Sequence, residues 1–208
     1  NEVDSDTEGT DALEFIELYD GGFGSTPLDG LTVVLYNGNG DTSYAAFELD
    51  GFSTDADGYF LLGNADVTPT PSIIFAGSLL QNGADAVALY QDDVANFPNG
   101  TAVTTTNLLD AIVYDTNDAD DLGLLTLLNA GQPQVDESGA GNSAADSNQR
   151  CPNGSGGRLN TSTYAQFAPT PGAENICEIV EPPLSCETPN VATMIYNIQG
   201  SGASSPLD

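Results

Sequence analysis

Apolar residues along this chain come in short bursts separated by Gly, Asn, Asp and Pro. Seven bursts recur at regular spacing: residues 13–19 (LEFIELY), 31–36 (LTVVLY), 44–49 (YAAFEL), 59–63 (YFLLG), 72–76 (SIIFA), 86–91 (AVALYQ) and 111–115 (AIVYD). An eighth candidate is 163–167 (TYAQF). Their Val, Ile, Tyr and Phe suit a pleated, half-buried surface. Asn37-Gly38-Asn39-Gly40 lies between two bursts and predicts a hairpin, because Asn-Gly tolerates positive φ at both central turn positions. Asp57-Gly58 predicts a similar turn. Seven or eight short strands joined this way predict an all-β fold: an antiparallel β-sandwich of immunoglobulin-like architecture.

Two stretches depart from this pattern. Residues 120–129 (DDLGLLTLLN) carry Leu at helix-compatible positions after an acidic start, which predicts a short helix. Residues from about 131 to 157 are rich in Gly, Ser, Asn and Ala and read as a long surface loop. The sandwich is expected to close near Pro169-Thr170-Pro171-Gly172, giving a domain over 1–176. Residues 177–190 read as an acidic, Pro-rich linker of extended character. Within 191–208, the run 192–199 (ATMIYNIQ) reads as a lone strand, with Met194, Ile195, Tyr196 and Ile198 as its apolar positions. A lone strand cannot satisfy its own backbone groups. It is expected either to open a further domain after Asp208 or to pair with another molecule. The chain begins at Asn1 rather than Met, so removal of a leader is expected. No apolar stretch approaches the roughly 20 residues of a membrane-spanning helix.

Composition narrows the function more than the fold. The chain has no Lys, no His and two Arg, Arg150 and Arg158, against 31 Asp and Glu, for a formal net charge of -29. Without His or Lys there is no imidazole base, no amine nucleophile and no Schiff base, so no enzymatic activity is expected. Phosphate neutralisation needs clustered cations, and the charge here speaks against direct nucleic-acid binding. Strong acidity fits an extracellular protein from a saline setting, where salt screens self-repulsion. Three Cys are present: Cys151, Cys177 and Cys186. In an oxidising exterior the preferred pair is Cys151 with Cys177, leaving Cys186 over; three reduced thiols is the alternative.

The acids supply the candidate sites. Asp4, Asp6 and Glu8, before Gly9, space oxygens like the start of a calcium loop, although Phe15 stands where a bidentate Glu would be expected. A solvated acidic terminus explains the same residues. Asp115, Asn117, Asp118, Asp120 and Asp121 form a denser cluster. Ca²⁺, a helix N-terminus near Asp120, or plain solvation would each relieve its repulsion. In the 13–19 burst, Phe15, Glu17 and Tyr19 share one face. A carboxylate between two aromatics is expected to be partly buried and to need a partner. An ion pair of Glu17 with Arg150 is one expectation, and an exposed Arg150 in a flexible loop the other.

Residues 14–19 (EFIELY), followed by Leu28-Asp29-Gly30-Leu31, resemble the opening of the lamin-tail domain, an immunoglobulin-like β-sandwich. Segments 1–8 (NEVDSDTE), 110–128 (DAIVYDTNDADDLGLLTLL), 149–157 (QRCPNGSGG) and 169–175 (PTPGAEN) are similar to the bacterial secreted version of this module. Residues 195–207 (IYNIQGSGASSPL) are similar to the first strand of the oligonucleotide-binding-type domain that follows such modules in large extracellular nucleases. The resemblance implies a non-catalytic accessory module beside a downstream nuclease domain, and the acidic clusters add Ca²⁺ as its expected stabilising ion. The resemblance transfers no catalytic residue to this chain. The alternative expectation is a self-assembling extracellular filament subunit, in which strand 192–199 adds to the sheet of a neighbouring copy.

Overall fold

The computed structural model describes residues 1–177. The expected strand 192–199, with Met194, Ile195, Tyr196 and Ile198, lies outside the described residues, as do Cys186 and all but the first residue of the expected 177–190 linker.

Among the described residues eleven strands follow one another: β1 (Glu2–Asp4), β2 (Phe15–Tyr19), β3 (Thr32–Asn37), β4 (Thr42–Glu48), β5 (Tyr59–Gly63), β6 (Ile73–Ile74), β7 (Asp85–Tyr90), β8 (Leu108–Asp115), β9 (Val135–Asp136), β10 (Ser147–Arg150) and β11 (Tyr164–Phe167). They form two sheets, ordered β11-β10-β1-β2-β5-β6 and β4-β3-β7-β8-β9. The all-β expectation is met, but the sheets are mixed rather than purely antiparallel. The edge pairs β5–β6 and β8–β9 run parallel, each reached through a crossover rather than a hairpin.

Alternation along the strands explains the layers. Val33 and Leu35 of β3, Val87 of β7, and Ile112 and Tyr114 of β8 face the first sheet. There they meet Val3, Ile16, Phe60 and Leu62 in the main core. The intervening Val34, Tyr36, Ala86, Ala88 and Val113 turn outward, under a second apolar layer that includes Phe97, Leu124, Leu127 and Leu128. The second sheet is therefore buried on both faces, which is why its runs read as nearly continuous apolar stretches. Tyr36 and Tyr90 meet in this outer layer, their hydroxyls 3.1 Å apart, and Tyr90 donates to the Thr104 carbonyl at 2.7 Å.

Two sequence expectations change. Residues 120–129 hold a 3₁₀ turn, Leu124–Leu127, rather than an α-helix. Leu128 is already extended, so the segment ends before an α-helical ladder can build. Residues 131–157 are not a plain loop: they contain β9, β10 and the 3₁₀ turns Glu137–Ala140 and Ser143–Ala145. β10 reads SNQR and every residue of it is buried, so hydrophobicity gives no sign of it. β1 reads EVD and is likewise buried. The β3–β4 hairpin forms as expected, closed by Asn37 opposite Thr42. Its positive φ angles fall on Gly40 and Asp41.

Candidate functional site

The outer face of the first sheet carries carboxyls where a sandwich would ordinarily show water-facing polar groups. Glu2 lies directly opposite Glu17 on one side and Gln149 on the other, so all three side chains share that face. The segment after β11 runs over them. Thr170 N and Oγ1 donate to Glu2 at 2.8 Å each, and Gly172 N donates to Glu17 Oε2 at 2.7 Å. Asn1 Nδ2 donates to Glu17 Oε1 at 2.7 Å. Glu17 is 1% exposed. Burial pushes its pKa up to about 7, against the hydrogen bonds from Asn1 and Gly172 and with a further push from Glu2. Burial also raises Glu2.

The expected Glu17–Arg150 ion pair is not formed. Arg150 follows Gln149 and so points through the other face of β10, into the space between the sheets. There its Nη2 forms a fork with both carboxylate oxygens of Asp110 on β8, at 3.0 and 2.8 Å. Nη1 donates to the Ser155 and Gly157 carbonyls at 2.8 Å each, and Nε to the Tyr164 hydroxyl at 3.2 Å. The guanidinium lies 5.0 Å from the Tyr164 ring centroid. Burial opposes its charge, but Tyr164 and Asp110 hold its pKa above the usual arginine value. All five N–H donors are engaged, so Arg150 is a bolt between the sheets. Asp110 could have been found by the argument that singled out Glu17: in LLDAIVYD it shares the inward face with Ile112 and Tyr114.

The two proposed calcium loops do not gather their ligands. Asp4 sits on β1, 3% exposed, with Oδ1 unpartnered and its carboxyl against that of Glu137. Burial, and then Glu137, pushes Asp4 up to about 10; burial pushes Glu137 up to about 8. Glu137 accepts from Ser5 N at 3.0 Å and from Ser5 Oγ. Asp6 accepts from Asn82 Nδ2 at 3.3 Å and Ser143 Oγ at 2.6 Å, and Glu8 is exposed in a turn. In the second loop Asp115 is buried and accepts from Gln134 Nε2 at 2.6 Å and Asp118 N at 3.1 Å. Asn117, Asp118 and Asp120 face solvent. Asp121 Oδ1 accepts from Gly123 N at 2.8 Å and Leu124 N at 2.9 Å, capping the 3₁₀ turn. Of the cluster, Asp121 is the carboxylate that holds the start of this turn. Asp121 also meets Asp41, whose pKa is raised by burial and then by that contact. Among the described residues no three His, Cys, Asp or Glu side chains converge on a point that could hold a metal ion. Two facing carboxyls fall short of the six to eight oxygens of a calcium cage.

Cys151 and Cys177 come together as expected, but as free thiols. Burial, and then the Cys177 thiol beside it, pushes Cys151 up to about 12. Cys177 Sγ points at the Arg150 carbonyl, 3.8 Å away. The pair would pin the covering segment to the end of β10.

One cavity of about 260 Å³ opens between the sheets at the Arg150 end. Apolar side chains of β1, β2, β3, β7 and β8 form its walls, and Asp110, Arg150, Arg158 and Tyr164 stand at its polar side. Compared with family models, with curated proteins and with solved structures, the chain matches none. The structure defines the class by itself: an all-β, two-sheet protein. Among the described residues no helix is long and apolar enough to cross a membrane.

Proposed function

We propose that this chain is a non-catalytic extracellular accessory module that tethers or positions a secreted nuclease-like partner domain. The observation that carries the reading is how its acids are engaged. In a chain without His or Lys, Glu2, Glu17 and Asp20 accept hydrogen bonds that hold turns and strands, and the facing Asp4 and Glu137 carboxyls are buried within the fold. Asp20 alone accepts from Gly22 N, Phe23 N and Gly24 N and from the Thr26 and Thr54 hydroxyls. The two-sheet architecture agrees with the lamin-tail resemblance, which supplies the neighbouring nuclease and the bacterial source, while the acidity supplies the saline setting and the proposed stabilising Ca²⁺. The test is incubation of the purified full chain with single- and double-stranded DNA and RNA, with Ca²⁺ or Mg²⁺. Intact substrates and no complex are expected. Cleavage would overturn the reading.

A second reading, a filament subunit, is favoured by the edge of the second sheet. β4 is that sheet's outermost strand, and the segment beside it pairs only near its start, through Thr42 with Ala102 and Ser43 with Gly100 and Thr101. The remainder of β4 offers an edge on which strand 192–199 of another copy can pair. Light scattering of the full chain, with Ca²⁺ and then with chelator, separates the two. Polymers lost on deleting 192–199 establish the filament; a monomer in both conditions leaves the accessory module.

A further inference from the structure

We propose that the inter-sheet cavity is a binding site for a small organic carboxylate with an apolar body, anchored by Arg158. This goes beyond the accessory role and rests on different residues. The walls are the inward faces of both sheets: Val3, Ile16 and Leu18 from one, Val87, Leu89 and Ile112 from the other. Most of these are sealed in the core, but Leu18 and Leu89 are only half-buried and line the cavity. A volume of about 260 Å³ lies between a benzene-sized void and the pockets that take drug-sized ligands, so the fitting body is a short alkyl chain or one aromatic ring.

The polar side of the cavity selects the head group. Both cations of a chain with net charge -29 stand there, so this is where an anion meets attraction rather than repulsion. Arg150 has no donor left to give. Arg158 does. Its Nε donates to the Leu109 carbonyl at 2.5 Å and its Nη2 to the Leu108 carbonyl at 2.8 Å. These fix the guanidinium plane against β8, while both Nη1 protons have no acceptor among the described residues. Tyr164 adds a second donor: its hydroxyl accepts from Arg150 Nε, and its own proton has no acceptor there. Asp110 does not repel the newcomer, because its carboxylate is neutralised by Arg150 and also accepts from Leu159 N at 2.7 Å. A guanidinium pinned by two carbonyls, with one nitrogen turned free, is pre-organised for a carboxylate.

Isothermal titration of the full chain with hexanoate and 3-phenylpropionate, and with the matched alcohols, tests this. Saturable binding of the carboxylates is expected, with the alcohols about tenfold weaker for want of the charged contact. Arg158→Gln should bring carboxylate affinity down to that of the alcohol while leaving the alcohol unchanged. Leu89→Phe, which fills the cavity from a half-buried position, should abolish binding of both without lowering the melting temperature. No saturable binding by any probe would overturn the proposal. So would Arg158→Gln with an unchanged preference for carboxylate, or Leu89→Phe that folds and still binds.

Discussion

Replacing Glu17 by Gln removes a carboxyl that the fold holds away from water and from both arginines. In the folded chain its pKa is pushed up to about 7, while in the unfolded chain it titrates near the ordinary glutamate value of 4.5. Below about pH 4.5 both states hold the proton and the group costs nothing. Between 4.5 and about 7 the unfolded chain has released its proton and the folded chain has not, so stability falls as pH rises. Above about 7 the full penalty stands. At about 1.4 kcal/mol per pH unit, that interval amounts to roughly 3 kcal/mol.

Glu17→Gln abolishes this titration. It also turns an amide N–H₂ toward Asn1 Nδ2 or Gly172 N, both donors, at a cost of about 1 kcal/mol. The variant is therefore expected to be about 1 kcal/mol less stable than the parent at pH 4.5 and about 2 kcal/mol more stable at pH 8. Urea unfolding of both proteins at fixed ionic strength measures it. Glu14 and Asp85, also raised to about 7 by burial, contribute equally to both chains and cancel in the difference. Two stability curves that stay parallel from pH 4.5 to 8 would refute the reasoning.

Three further outcomes follow from named contacts. Asp41→Asn places an amide donor against Asp121 at a position whose φ of 52° Asn tolerates, so a gain of about 1 kcal/mol is expected at pH 7 and none at pH 3 by urea unfolding. Asp20→Ala strips the acceptor from three backbone N–H groups and two hydroxyls, and should cost about 1–2 kcal/mol and raise hydrogen exchange at Gly22, Phe23 and Gly24. Oxidation of the full chain should join Cys151 to Cys177, shown by peptide mapping after cleavage at acidic residues. It should add about 3 kcal/mol by closing a loop of moderate length. Mapping of Cys186 as the partner of either would contradict the observed juxtaposition.

The strands with apolar runs were legible because alternation and β-branched composition carry the information locally. Each of the eight runs named within the described residues contains a strand, from β2 through β8 and β11. What escaped was polar and non-local. β1 and β10 have EVD and SNQR as their residues, and their place in the first sheet depends on pairing across almost the whole chain, Val3 with Asn148. The same blindness hid the true partner of Arg150. Knowing that Gln149 and Arg150 face opposite sides requires knowing that they form a strand at all. Glu17 was legible as a buried carboxylate because its neighbours Phe15 and Tyr19 betray the face. Its actual donors, Asn1 and Gly172, lie at the two ends of the domain.

The acidity of this chain is of two physical kinds. Asp20 and Asp92 sit in turns. Desolvation works against the ionised form of Asp20, but the Thr26 and Thr54 hydroxyls and backbone N–H groups hold its pKa below the usual value. Asn107, Asn96 and Asp93 N do the same for Asp92. These groups stay charged and replace cations with N–H dipoles. Asp4, Glu17 and Asp85 sit on strands and the buried Glu137 opens a 3₁₀ turn, and burial drives all four toward the protonated form. The folded protein at neutral pH is therefore less negative than its formal charge of -29, and acid should tighten it before it unfolds it. Salt and Ca²⁺ act on the first kind, which solvent reaches, and scarcely on the second. If the chain assembles through exposed carboxylates, chelation will disperse it at any pH. If it assembles because the covering segment over Glu2 and Glu17 is released, assembly will follow pH and ignore chelator. Only a measurement that varies the two separately can tell these apart, and Glu17 places the pH response near 7.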